Sequence, residues 1–246
     1  MLKAENLTKS FGGERVLEDI CIEVNPGKFT FLIGPSGAGK TTLLRCLALL
    51  EVPEKGTIQI DQHAHHFPAA KNSRIHPPWP ELTVVFQQHF LWPHLTIREN
   101  ILLPLKEKLS SGGTSFEELV TLFDMDRFVD RYPNEASLGE RQRAALARAL
   151  ILNPRYILLD EITSSLDVEQ VNHLFYHLLE LRRRGIGILL ITHQLDFARG
   201  LLKSGNGDEA VFLDRGRILE KGGADMLENP VSPRVRQFLG QLQYVP

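Results

Sequence analysis

Apolar and polar positions in this chain first follow a strand-like rhythm, then a helical one, and then the two alternate. Residues 2–11 and 16–24 alternate loosely and predict two strands, with Gly12-Gly13 as the turn between them. Asn25-Pro26-Gly27 makes a second turn. Residues 29–33 form a short apolar strand that runs straight into a glycine-rich loop. Residues 40–50 carry an apolar face at helical spacing, and residues 56–61 return to a strand. Residues 62–80 hold His63, His65, His66 and His76 among Pro68, Pro77, Pro78 and Pro80, which predicts a surface loop. No H-x3-H spacing or cysteine accompanies these histidines, so a solvated loop is the simpler reading than a metal site.

Residues 82–86 read as a strand, and the pattern then stays helical from 87 to 152, broken at Pro93, Pro104, 110–113 and Tyr132-Pro133. Strands return at 156–160, 187–192 and 210–214, separated by helical stretches at 168–184 and 195–202. Strands alternating with helices imply a parallel sheet covered on both faces. The expected fold is α/β: a mostly parallel sheet, an N-terminal antiparallel β subdomain and an inserted α-helical subdomain. The expected organisation is one domain over 1–246, with a core of 1–86 and 153–246 and the helical subdomain at 87–152.

Composition narrows the function classes. The net charge is −2, with no basic excess to support nucleic acid as a partner. No run approaches the ~18 apolar residues that a membrane span needs, and Met1-Leu2-Lys3-Ala4-Glu5-Asn6 has no apolar signal region. Two cysteines, Cys21 and Cys46, suggest no disulfide framework and point to a reducing compartment, with Cys46 in the core.

The chemistry begins at Gly34-Pro35-Ser36-Gly37-Ala38-Gly39-Lys40-Thr41, which fits G-x-x-x-x-G-K-[ST] between a strand and a helix. Its glycines allow backbone N–H groups to surround phosphate oxygens. Lys40 supplies a point charge to the β- and γ-phosphates, and the Thr41 hydroxyl suits Mg²⁺. The strand at 156–160 ends in Asp160 and Glu161. Two like charges at a buried strand end are costly unless a cation or a reaction uses them. Asp160 suits the metal, and Glu161 suits deprotonation of an attacking water. His193 follows another apolar strand, where ligands bind in parallel sheets. Ser137 and Glu140 have the spacing of a capping box, so a helix begins there and offers free N–H groups to a second anion.

In their order and spacing these motifs resemble the nucleotide-binding subunit of an ABC transporter, over essentially the whole chain. Residues 34–41 look like Walker A and residues 157–161 like Walker B. Gln87 looks like the Q-loop glutamine, and Ala136-Ser137-Leu138-Gly139-Glu140 like the signature. Ser164-Ser165-Leu166-Asp167 resembles the D-loop, and His193 the switch histidine.

The resemblance implies a P-loop NTPase core that binds ATP and Mg²⁺. Phe11 would stack on adenine, while Gly34, Pro35, Ser36, Gly37, Ala38, Gly39, Lys40, Thr41, Thr42 and Gln87 would hold the nucleotide. Thr41, Gln87 and Asp160 would serve the metal, with Glu161 and His193 catalytic. It also implies a head-to-tail homodimer or heterodimer, in which Ser137, Gly139 and Glu140 meet the partner's ATP and Asp167 lies in the D-loop. Such a pair would sit peripherally on the cytoplasmic face of the inner membrane, against integral permease subunits.

Phe86-Gln87-Gln88, Trp92-Pro93-His94-Leu95-Thr96 and Leu227-Glu228-Asn229-Pro230 resemble subunits that power polar amino-acid importers. That likeness adds an extracytoplasmic solute-binding protein to the expected partners. Alternatives are export or release of a lipid or lipoprotein cargo, a non-transport ABC protein, and a module that holds ATP without useful turnover. Three features depart from the family pattern: Leu138 in place of a glycine, Ile162 in place of a proline, and the His/Pro-rich stretch. Leu138 is expected to slow or weaken an ATP-driven dimer by crowding the facing surface.

Overall fold

The structure, a computed structural model, describes every residue except 70–74, 76–77, 108–113, 164–165, 167, 206 and 244–246. Its strands are β1 (Leu2–Phe11), β2 (Glu14–Val24), β3 (Phe29–Ile33), β4 (Lys55–Ile60), β5 (His63–Phe67), β6 (Leu82–Val85), β7 (Tyr156–Asp160), β8 (Gly187–Ile191), β9 (Glu209–Asp214) and β10 (Arg217–Gly222). They form two sheets, an antiparallel one ordered β2-β1-β4-β5 and a larger one ordered β10-β9-β3-β8-β7-β6. In the larger sheet every pairing from β9 to β6 is parallel, and only the edge strand β10 runs antiparallel.

The central strands read as unbroken apolar runs because both their faces are covered. Phe29, Phe31, Ile157, Leu159, Ile188 and Leu190 enter one core cluster. Leu32, Leu158, Leu189, Ile191, Val211 and Leu213 point the other way, into a second cluster shared with β1, β2 and the first helix. Truncating one such leucine to alanine costs about 2–5 kcal/mol, so the sheet is a stiff platform.

The helices are α1 (Lys40–Leu47), α2 (Ile97–Leu102), α3 (Phe116–Leu122), α4 (Leu138–Leu150), α5 (Val168–Arg183), α6 (Leu195–Lys203), α7 (Ala224–Glu228) and α8 (Pro233–Gln243). Two 3-10 turns, Leu103–Glu107 and Pro133–Glu135, join the second to fourth. Each of α2, α3 and α4 starts at a complete capping box, from Thr96, Ser115 and Ser137 respectively. The repeated S/T-x-x-E spacing therefore fixes where each of these helices begins. Among the described residues no helix is long and apolar enough to cross a membrane.

Several boundaries differ from the expectation. Residues 63–67 are not loop: they form β5, an edge strand paired with β4 from Gly56↔Phe67 to Ile60↔His63. Only Phe67 of that strand is buried, so it carries almost no apolar signal. Helix α1 ends at Leu47 rather than 50, because Leu49 turns left-handed with φ 54°. β10, α7 and α8 had no counterpart in the pattern reading. Cys46 is buried, and burial pushes its thiol up to about 12, which makes it an inert core residue.

Candidate functional site

Strand register brings the sequence candidates to one edge. Leu32 of β3 pairs with Ile191 of β8, which pairs with Asp160 of β7. The segments leaving these strands, namely the glycine loop, Glu161 and His193, therefore emerge side by side. β6 lies next to β7, with Val85 opposite Leu159, so Gln87 emerges on the same edge and is exposed. This is the carboxyl end of a parallel sheet, where such folds bind ligands.

The glycine loop is tightly packed from behind. A Cβ on Gly34 would lie 1.9 Å from the Leu213 carbonyl oxygen of β9. Gly39 has φ 102°, and a Cβ there would lie 2.9 Å from Val16 O of β2. Side chains are thus excluded at both ends of the loop. The same packing seats the β1–β2 hairpin against the loop, and Phe11 lies at the hairpin tip, 45% exposed, opposite Glu14. The Lys9 ammonium covers the Phe11 ring at 4.6 Å from its centroid.

Lys40 opens α1 but is buried, and it donates to Gly34 O at 2.8 Å and Pro35 O at 2.9 Å. Burial lowers its pKa, while the charges of Glu161 and Asp160 act the other way. The Thr41 hydroxyl donates to Asp160 Oδ1 at 3.4 Å. Burial raises the Asp160 carboxyl, against the Thr41 bond and the charges of Lys40 and Arg45. Thr42 is half-buried beside them.

Glu161 has φ 50°, a left-handed conformation uncommon for a residue with a side chain. Its Oε1 lies 2.7 Å from His193 Nε2. An ionised carboxylate only accepts, so in that state the proton sits on Nε2. The two residues are 32 positions apart in sequence and are joined here by adjacent strand ends.

Ser137, Gly139 and Glu140 are placed elsewhere, at the start of α4. Glu140 N donates to Ser137 Oγ at 3.3 Å, and Glu140 Oε2 accepts from Ser137 N at 2.6 Å. A Cβ on Gly139 would lie 2.9 Å from the end of the Gln170 side chain of α5, so a larger residue there would displace that amide. Leu138, the first helical residue, is half-buried. Among the described residues no hydrogen bond or ion pair joins these three to the glycine loop. Asp167, with Ser164 and Ser165, lies outside the described residues. Ile162 is buried in the main core cluster, so apolar packing accounts for it.

Several supporting residues were given no role by the sequence reading. Arg148 donates to His89 O and Phe90 O, both at 2.7 Å, and fixes the segment after Gln87. Asn100 is fully buried and bonds Trp92 N and O and the carbonyls of Leu95 and Thr96. Gln142 donates to Ile162 O at 2.7 Å, and Gln194 to Thr163 O at 3.1 Å. The signal available for Gln142 was an amide on the apolar face of α4, in line with Ala145, Leu146 and Ala149.

A family model described as ABC transporter matches residues 17–164. The L-cystine transport system ATP-binding protein TcyN of Escherichia coli is 38% identical over 97% of this chain and 96% of its own length. The arginine transport ATP-binding protein ArtM of Bacillus subtilis is 36% identical over 98% of this chain and all of its own. The glutamine transport ATP-binding protein GlnQ of Escherichia coli is 34% identical, covering 97% and 98%. Among solved structures, a dimeric ATP-binding cassette in a post-hydrolysis state with ADP and Pi has a TM-score of 0.75 and 29% identity, covering 91% of this chain and 99% of that one. An ATP-binding subunit of an ABC transporter has a TM-score of 0.78 and 26% identity, covering 99% and 98%.

Proposed function

This chain belongs to the ABC transporter ATP-binding family, and we propose that it hydrolyses ATP to power uptake of a polar amino acid through separate membrane subunits. The observation that carries the hydrolytic reading is the 2.7 Å Glu161–His193 contact beside the Thr41–Asp160 pair, at the mouth of the glycine loop.

In this reading Phe11 stacks on adenine and the loop N–H groups from Gly34 to Lys40 receive the phosphates. Lys40 exchanges its two loop carbonyls for β- and γ-phosphate oxygens. The donor set fits Mg²⁺, since a hydroxyl and a carboxylate 3.4 Å apart are the hard oxygens this ion prefers, with water completing its shell. Thr41 and Asp160 would hold it, with Gln87 beside them, and the bound ion would neutralise charge on the β- and γ-phosphates. Asp160 accepts no further proton in this scheme: Glu161 takes the proton from the attacking water, and His193 steadies the carboxylate and the γ-phosphate. Water oxygen then bonds to the γ-phosphorus as the bond to ADP breaks. The fixed dipoles and charges do most of the work, as in other phosphoryl transfers.

A head-to-tail dimer completes the site, with Ser137 and Gly139 of the facing subunit on the γ-phosphate. Asp167 belongs to the same interface on family grounds. The relatives that transport cystine, arginine and glutamine support a polar amino acid as cargo. Integral permease subunits, an extracytoplasmic solute-binding protein and a peripheral place on the cytoplasmic membrane face follow from that reading.

One variant tests the enzyme against the passive module. Glu161→Gln is expected to lower MgATP turnover by a factor on the order of 10²–10⁴, while an ATP-bound dimer accumulates on size-exclusion chromatography. Equal, near-zero turnover in the unmodified protein and the variant would favour a module that holds ATP without using it.

A further inference from the structure

We propose that Gln142 is a positioning residue for hydrolysis, tying the start of α4 to the turn that carries Glu161. The proposal rests on the reading above, in which Ser137 serves the facing subunit's ATP and Glu161 serves its own.

Gln142 lies just over one turn into α4 from its cap and is 3% exposed. Its Nε2 donates to Ile162 O, the carbonyl immediately after Glu161, at 2.7 Å. Its Oε1 is buried and has no hydrogen-bond partner among the described residues. A buried amide with half its capacity unmet is a costly choice for a face otherwise built from Ala145, Leu146 and Ala149. The retained half must therefore matter, and it goes to one carbonyl.

That carbonyl belongs to a turn in need of restraint. Glu161 sits at φ 50°, and such conformations persist only where the surroundings over-determine them. The bonds that hold the turn include Glu161 N to Ile191 O at 3.0 Å, Gln194 Nε2 to Thr163 O at 3.1 Å, and the Gln142 bond. The first two come from β8 and the residue after His193, the same strand end that supplies His193 itself. Among the described residues, the hydrogen bond from α4 to the turn is the one Gln142 donates. It therefore links the helix that closes over one nucleotide to the base that acts on the other. Loss of this bond leaves the Thr41–Asp160 pair and the glycine loop intact but loosens the turn from which the Glu161 carboxylate reaches His193.

The test uses the full-length protein with MgATP and measures kcat, KM and ATP-dependent dimerisation. Gln142→Met keeps the length and removes the amide. It is expected to lower kcat by a factor on the order of 10–10², with KM changed by less than about twofold. Placed in the Glu161→Gln background, Gln142→Met is expected to leave ATP-dependent dimerisation unchanged, because the base it positions is already gone. Gln142→Asn, which keeps the amide but draws it back by one methylene, is expected to fall between and carries the test if the methionine variant does not fold. Unchanged kcat, or a loss of dimerisation in the Glu161→Gln background, would overturn the proposal while leaving the enzyme reading intact. Absence of turnover in the unmodified protein would overturn both.

Discussion

The glycine loop and the start of α4 both suit phosphate, but they are finished differently. In the loop, the buried Lys40 ammonium is turned onto two carbonyls of its own loop, Gly34 O and Pro35 O. Those bonds can be exchanged for bonds to a nucleotide without leaving a charge unmet. At α4 the helix end is already served by its own carboxylate, Glu140, which accepts from Ser137 N at 2.6 Å. A negative charge at a helix N-terminus is stabilising for the helix and unhelpful to a second anion. The loop is therefore built to capture nucleotide alone. In the proposed function the start of α4 contributes once another surface has delivered a phosphate to it, which would give affinity mainly to the first region and closure to the second.

The largest test of that division is Lys40→Ala. Removing one fixed donor from a phosphoryl-transfer site costs a factor on the order of 10²–10³ in turnover. ATP binding by equilibrium titration should weaken in the isolated chain. A variant that binds and hydrolyses normally would move the capture site away from the loop.

Asp160→Asn comes next and separates chemistry from stability. Turnover should fall on the order of 10²-fold, yet the nucleotide-free protein should melt at a higher temperature. The reason is the raised carboxyl of Asp160, set chiefly by burial. Below the ordinary carboxylate range both folded and unfolded states hold the proton, and the residue costs nothing. As pH rises, the unfolded chain releases its proton first, so stability falls until the folded-state pKa is passed. The gain in Tm of the variant should therefore be present at neutral pH and vanish at acid pH. A constant gain at all pH values would assign it to something other than ionisation.

How much of this was legible in advance depends on what carried the signal. The central strands were readable because burial on both faces makes continuous apolar runs, as in Phe29–Ile33 and Tyr156–Asp160. The start of α4 was readable because Ser137 and Glu140 meet within one turn. β5 was not, since His63 to His66 face largely outward and the strand exists through backbone pairing with β4. β10 failed similarly, as a polar edge strand. In the site, each chemical residue could be named from its motif. Their convergence could not, because the register Leu32↔Ile191↔Asp160 is a property of the folded sheet. The supporting roles of Asn100, Gln142 and Arg148 could not be read for the same reason: their partners are backbone groups, which every residue has.

A smaller effect is expected at the α4 cap. Ser137→Ala removes the bond to Glu140 N. Loss of an N-cap costs roughly 1 kcal/mol, or about 2–4 °C in Tm for a chain of this size. Nucleotide binding by the isolated chain should be unaffected, while ATP-dependent dimerisation weakens. Equal losses in both would mean that α4 takes part in capture and would erase the contrast with the loop.

The smallest effect is at Leu138, and its two parts have opposite signs. Leu138 is the first residue of α4 and half-buried, so its backbone is helical and tolerates the side chain. Leu138→Gly should therefore lower stability, by at most ~1 kcal/mol. The same change removes four carbons from the surface that must approach the partner's nucleotide. ATP-dependent dimerisation should become tighter or faster by a few-fold, a change of about 1 kcal/mol or less. At Gly139 added bulk would first have to displace the end of the Gln170 side chain. Position 138 is thus the place in this helix start where bulk at the interface can be varied without repacking the chain. If Leu138→Gly lowers Tm but leaves both dimerisation and turnover unchanged, the leucine does not crowd the interface, and the self-capping by Glu140 is left as the only feature that sets α4 apart from the loop.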